Sequence, residues 1–328
     1  MGFISNLMGW RDKPPPLDAA ESQALEHAVA VVDPLLKTVS AYQRRMAPAL
    51  RHALAYCDGL VAAVPGPIEV NAHAFAADPL VHALFATSGD IAMTLGKSRA
   101  VKEYLAEPAG ALADDFYALL GMRLHEKKVM GMALRGDIVC TDMPQKLLYF
   151  SDHTLRELTP DLDETRRRLR TAAFDSLATS FAAQLADMRK ERQELHDRWE
   201  MQRALSSRRQ QAAASTTDSR VAQRREELEE SLRLAAAALS PERVLDALVA
   251  WLAAPELHLH LDPTTVSVDR MGVILDTASP DAQASTLSFP ELIGRDRRNW
   301  IVLIARISRE EALRGVAQQQ EASRYLII

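Results

Sequence analysis

Glycine and proline are missing from the eighty residues between Pro160 and Pro241, the longest such gap in a chain of 328 residues. A stretch without either breaker, built mostly from Ala, Leu, Arg, Glu and Gln, favours one long exposed helix or a helical hairpin over several short elements. Cysteine is nearly missing as well. Cys57 and Cys140 stand far apart, so no disulfide framework is indicated, and two reduced thiols in a cytoplasmic protein are expected. Large rings are few: 4 Trp, 6 Tyr and 8 Phe. The cores must therefore rest on Leu, Ala, Val and Met, which suits helix-on-helix packing. No apolar run approaches the roughly 20 residues of a spanning helix.

A positive excess is missing too. The net charge is −5, and residues 163–239, the most basic part, hold 15 basic side chains against 13 acidic ones. Phosphate neutralisation needs a larger surplus, so no nucleic acid is expected as a partner. No metal cluster, phosphate loop or nucleophile motif is present, and no cofactor is expected. Hydrophobic content of 48% with 25% charged residues still describes a folded globular chain.

What the sequence does contain starts with an amphipathic peptide. On a helical projection of residues 1–10, Met1, Phe3, Ile4, Leu7, Met8 and Trp10 share one half of the circumference, with Arg11 and Lys13 following. Pro14-Pro15-Pro16 then forms a stiff spacer. Such a peptide can lie on an anionic membrane surface, although half-burying five side chains, roughly 5 kcal/mol, is offset by the cost of ordering about ten residues. Docking on protein is the competing reading. Asn6 breaks the myristoylation pattern.

Residues 17–159 read as a helical domain, with breaks at Pro34, Pro48 and Pro65-Gly66-Pro67, short helices over 74–107 and another over about 110–125. Within it, the runs 127–134, 138–140 and 146–150 read as a small hairpin or meander around the turn Arg135-Gly136-Asp137.

Over 160–239, Leu169, Leu177, Phe181, Leu185, Met188, Leu195 and Trp199 form one apolar stripe. Ser215, Thr216, Thr217, Asp218 and Ser219 compete for backbone hydrogen bonds and favour a turn. A second stripe, Val221, Leu228, Leu232, Ala235 and Leu239, follows. With the turn, the arms pair as an antiparallel coiled coil; without it, one helix of about 120 Å needs a second chain beside it. Residues 240–328 read as a small α+β unit: a helix to Ala253, strands near 257–261, 265–268, 273–275 and 300–307, a capping box at Ser308 to Glu311, and a last strand from Tyr325.

The expected fold is therefore mainly α, α+β overall. The expected function is that of a non-enzymatic cytoplasmic scaffold, peripheral to a membrane at most, associating with itself or a protein partner through residues 160–239. The contact residues implied are Phe3, Ile4, Leu7, Trp10, Arg11, Lys13, Phe181, Leu185, Met188, Leu195 and Trp199. An enzyme would instead need Asp142, His153 and His258 to converge on a pocket. His258, His260 and Asp262 have ligand-like alternation, yet one strand supplies too few metal ligands. A nucleic-acid reading would need Arg166, Arg167, Arg168 and Arg170 to join Arg295, Arg297 and Arg298 in one patch.

Overall fold

The computed structural model describes residues 15–135, 138–212, 219–269, 271–275, 284–295 and 300–325. In chain order the elements are α1 (Ala19–Val32), α2 (Tyr42–Ala62), β1 (Ile68–Glu69), α3 (Ala72–Ala77), α4 (Pro79–Leu84), α5 (Ser88–Lys97), α6 (Arg99–Ala106) and α7 (Pro108–Leu112). Then follow β2 (Asp115–Arg135), β3 (Ile138–Thr159), α8 (Leu162–Ala212), α9 (Ser219–Ala238), α10 (Pro241–Ala253), β4 (His260–Val268), β5 (Ser285–Ile293), β6 (Trp300–Ser308) and α11 (Arg309–Tyr325). The chain is mainly helical with one curled antiparallel sheet. It divides into two compact units, Met1–Tyr56 with Phe174–Pro255, and Cys57–Ala173 with Glu256–Ile328.

Among its described residues the first unit holds helices and no strand. A capping box opens α1: Asp18 accepts from the Glu21 amide while Glu21 accepts from the Asp18 amide. Its apolar residues Leu25, Ala28, Val29 and Val32 are buried, as are Leu50 and Ala53 of α2 and Leu245, Leu248 and Leu252 of α10. Arg45 of α2 grips α10 by pairing with Glu242 at 2.6 Å and with Asp246 one turn later. Pro48 does not interrupt this region, contrary to the sequence expectation: α2 runs through it. A ring inside a helix costs about 3 kcal/mol, and the buried Met46, Ala47, Ala49 and Leu50 around it offset that cost.

The second unit is built on the sheet, ordered β3-β2-β6-β5-β4 with β1 parallel to β6. Residues 115–123 pair with β6 from Trp300 to Ser308, so the strands near the C-terminus complete the same sheet as the β2–β3 hairpin. They do not form a separate α+β unit beginning at residue 240. The two outer strands are joined by a short segment: Val273 bridges Leu147 of β3, and Ile274 bridges Val268 of β4. This curls the sheet around Leu120, Met122, Leu148, Leu287, Phe289, Ile301 and Leu303, and Ile91, Leu95, Val101 and Tyr104 from the helices join the same core. Gly96 and Gly315 let α5 and α11 touch, since a Cβ on Gly96 would lie 2.2 Å from the Gly315 carbonyl.

Three further expectations change. The helix over 110–125 is instead the start of β2, with Phe116, Ala118, Leu120 and Met122 buried at period two. Leu119 packs on the opposite face with Val61, Leu169 and Ile304; apolar residues on both faces blur the period. The meander is one long hairpin, because Pro144 is tolerated where β3 is an outer strand. Its turn Gly136-Asp137 lies outside the described residues. β5 carries Pro290 opposite Pro263 of β4 and escapes a reading that treats proline as a strand breaker. Of the terminal strand expected from Tyr325, Tyr325 itself ends α11, and residues 326–328 lie outside the described residues.

Candidate partner-binding arm

Helix α8 is 51 residues long and starts at Leu162, capped by Asp161, whose carboxylate accepts from the Glu164 amide at 3.1 Å. Pro160 therefore precedes the cap and is not the first helical residue. Within the first unit, α8 changes character along its length. Phe174, Leu177, Ala178, Phe181 and Leu185 are buried. Phe181 meets Trp251 of α10 edge-on at 5.5 Å, and the Trp251 indole donates to the Leu177 carbonyl at 3.2 Å. Arg189 closes this section with an ion pair to Asp33, which also caps the turn after α1.

From residue 186 to residue 205 no side chain of α8 is buried, and none is buried over 223–238 of α9. The two helices run antiparallel. The Trp199 indole donates to Glu229 at 3.1 Å, and nearer the core Met188, Glu191 and Leu195 share a groove with Ser231, Leu234, Ala235 and Leu239. The groove measures about 370 Å³. Its flanks carry ion pairs within each helix, Arg198–Glu194, Arg225–Glu229 and Arg233–Glu230. Exposed pairs of this type, screened by water, contribute little to stability. Helices of this length normally draw most of their stability from a covered apolar face. Here Leu195, Trp199, Leu228 and Leu232 are only half-buried, while Leu234 is 59% exposed and Met201 67% exposed.

The expected contact residues thus fall into three groups. Phe181 and Leu185 are buried in the core of their own unit. Met188, Leu195 and Trp199 do lie on the open part of α8. Phe3, Ile4, Leu7, Trp10, Arg11 and Lys13 lie outside the described residues, as does the side chain of Val221. Leu234, Met201 and Leu205 were not singled out in the sequence because they sit off the two stripes. Their signal was available in the i, i+4 spacing of Met201 and Leu205.

Asp142 and His153, two of the residues needed for chemistry, do not converge. Asp142 is exposed on the outer part of β3, and His153 lies about 35 Å further along the same strand at ~3.3 Å per residue. His153 is mostly buried, stacked on Phe85 at 4.7 Å and bonded through Nε2 to the Leu84 carbonyl at 2.8 Å. Burial holds its pKa below the usual value. His258 is held low by desolvation as well. The strand β4 begins at His260, so Leu257, expected in a strand near 257–261, falls in a helical turn and is 73% exposed. Among the described residues no group of three or more His, Cys, Asp or Glu side chains could hold a metal ion. The buried Cys57 thiol is pushed up to about 12, chiefly by burial, which leaves it inert.

The arginines at the start of α8 each meet a carboxylate. Arg166 lies 3.5 Å from Asp163, Arg167 and Arg168 pair with Glu164 at 2.7 and 3.1 Å, and Arg170 pairs with Asp58 at 3.0 Å. Arg295 has interactions of its own, and Arg297 and Arg298 lie outside the described residues. No helix among the described residues is long and apolar enough to cross a membrane. The chain matches no family model, no curated protein and no solved structure in the comparisons made with each.

Proposed function

We propose that the chain is a non-enzymatic interaction protein of the cytoplasm, a scaffold in which α8 and α9 form a coiled-coil-like arm that grips a helical protein partner. The observation carrying this reading is the uncovered arm: two helices side by side with no buried residue over 186–205 and 223–238, and an open apolar groove between them. A third helix in that groove would cover Met188, Leu195, Leu234 and Leu239 and give the arm the core it lacks. The first ten residues serve this role as an accessory tether to an anionic membrane surface or to the bound protein.

The test is affinity purification of the tagged full chain from its own source beside a Met188→Glu, Leu234→Glu variant, with circular dichroism to verify that both are folded. A polypeptide that accompanies the wild type in fixed proportion and is lost from the variant supports the reading. An identical set of companions from both chains, or none from either, refutes it.

A further inference from the structure

One charged side chain stands among those that line the groove of the arm. Glu191 shares its wall with Met188 and Leu195, and Leu234, Ala235 and Leu239 line the wall opposite. Ser231, the other polar residue there, already donates its hydroxyl to the Glu227 carbonyl at 2.8 Å. Glu191 is exposed and makes no ion pair or hydrogen bond with the described residues.

The sequence around it gives the reason. A carboxylate on a helix finds its counter-charge three or four residues away. For Glu191 those positions hold Asp187, Met188, Glu194 and Leu195, two acids and two apolar residues. Its neighbours Lys190 and Arg192 are each turned about 100° away from it around the helix. Arg198 lies on the same side of α8 two turns further out, and it pairs with Glu194 at 3.9 Å. The wall opposite offers nothing either. The contact of Trp199 with Glu229 sets the register of the two helices and brings residues 234–239 beside Glu191, and these are Leu and Ala only. Arg233, just before them, is held by Glu230 at 2.8 Å.

While water fills the groove this carboxylate is solvated. A helix laid there removes the water, and an ionised group buried without a counter-charge is strongly unfavourable. The occupant must therefore bring the cation that neither wall supplies. We infer that the helix accepted by the groove carries an arginine or lysine at the centre of its apolar stripe. Apolar residues one turn to either side of that cation meet Met188 with Leu239, and Leu195 with Leu234. Met188 and Leu195 are about 10 Å apart along α8, so the whole pattern fits within about two turns. This rests on the groove reading above and specifies the chemistry of its partner. A single charge in an apolar seam fixes the register of the pair. It also rejects a helix that is apolar throughout or acidic at that point.

The test is fluorescence anisotropy of the full chain with three labelled synthetic helices of about 18 residues, about 27 Å long. They share an Ala- and Gln-based sequence with Leu on one face and differ only at the central position of that face, which is Arg, Gln or Glu. The wild type is expected to bind the Arg peptide about tenfold tighter than the Gln peptide, and the Glu peptide more weakly again. In Glu191→Arg the order should reverse, with the Glu peptide the tightest. Circular dichroism verifies the fold of each variant. Met188→Ser with Leu234→Ser, which changes no charge, is expected to weaken all three peptides alike and so locates them in the groove.

Equal affinity for the three peptides overturns the inference. So does a preference for the Arg peptide that persists in Glu191→Arg. Either result leaves the groove reading standing when the Met188→Ser, Leu234→Ser variant loses the peptides. If none of the peptides binds, or if binding survives that double substitution, the inference falls together with the groove reading.

Discussion

Leu185 and Leu195 sit ten residues apart on one helix, yet truncating them should have very different consequences. Leu185 is 3% exposed in the core beside Phe181. Leu185→Ala removes about three carbon groups at ~0.8 kcal/mol each and leaves an enclosed void, for a total of about 3 kcal/mol. Leu195 is half-buried on a groove open to water. Its truncation forfeits about half the transfer energy, creates no closed cavity, and gains slightly in helix propensity, for a net loss of about 1 kcal/mol or less. The measurement is urea unfolding followed by Trp251 fluorescence in a chain with Trp10, Trp199 and Trp300 each changed to Phe. Values extrapolated to infinite dilution remove any contribution from association. With a slope of about 2 kcal/mol per molar urea, the two midpoints should differ by roughly 1 M. Losses within about 0.5 kcal/mol of each other would refute the claim that α8 leaves its core between Leu185 and Met188.

His153, buried neutral with a lowered pKa, contributes stability that is fully present above its unfolded value of 6.5 and is lost as pH falls from there through the lower folded value. Thermal melts between about pH 7 and pH 5 should therefore drop more for the wild type than for His153→Phe, which keeps the ring against Phe85 without titrating. Glu291 faces Asp262 across β4 and β5, and burial with that like charge raises its pKa. Because the folded state holds this proton more tightly, stability falls as pH rises from the usual carboxylate range through the folded value. Glu291→Gln should stabilise the chain by about 0.2–1 kcal/mol near neutral pH, with the gain vanishing in acid, as read by urea midpoints at both. For residues 1–13, flotation with anionic liposomes should carry more of the full chain than of a deletion lacking them. Equal flotation would leave the peptide with no lipid role.

The legible parts of this sequence are those where one signal acts alone. Asp78-Pro79, Ser88-Gly89 and Ser240-Pro241 are breaks legible from local residues alone, and α4, α5 and α10 begin there. The absence of Gly and Pro over 161–240 points to long helices, and α8 and α9 occupy that stretch on either side of residues 213–218. Legibility fails where a distant element decides. Phe116 to Leu124 fits a helical period and a strand period about equally, and only pairing with residues 300–308 settles it. The division between units is equally invisible in composition, because β6 must cross to β2 before the strands on either side of α8 join one sheet. The arm fails in a different way. Phe181, Leu185, Leu195 and Trp199 are one stripe in the sequence, and its periodicity carries no mark of where α10 stops covering it. That boundary depends on how far Trp251 and Asp33 reach along α8. The same stripe therefore holds core and open surface. Its spacing identifies an apolar face, whereas the reach of its neighbours determines which part of that face is left for another chain.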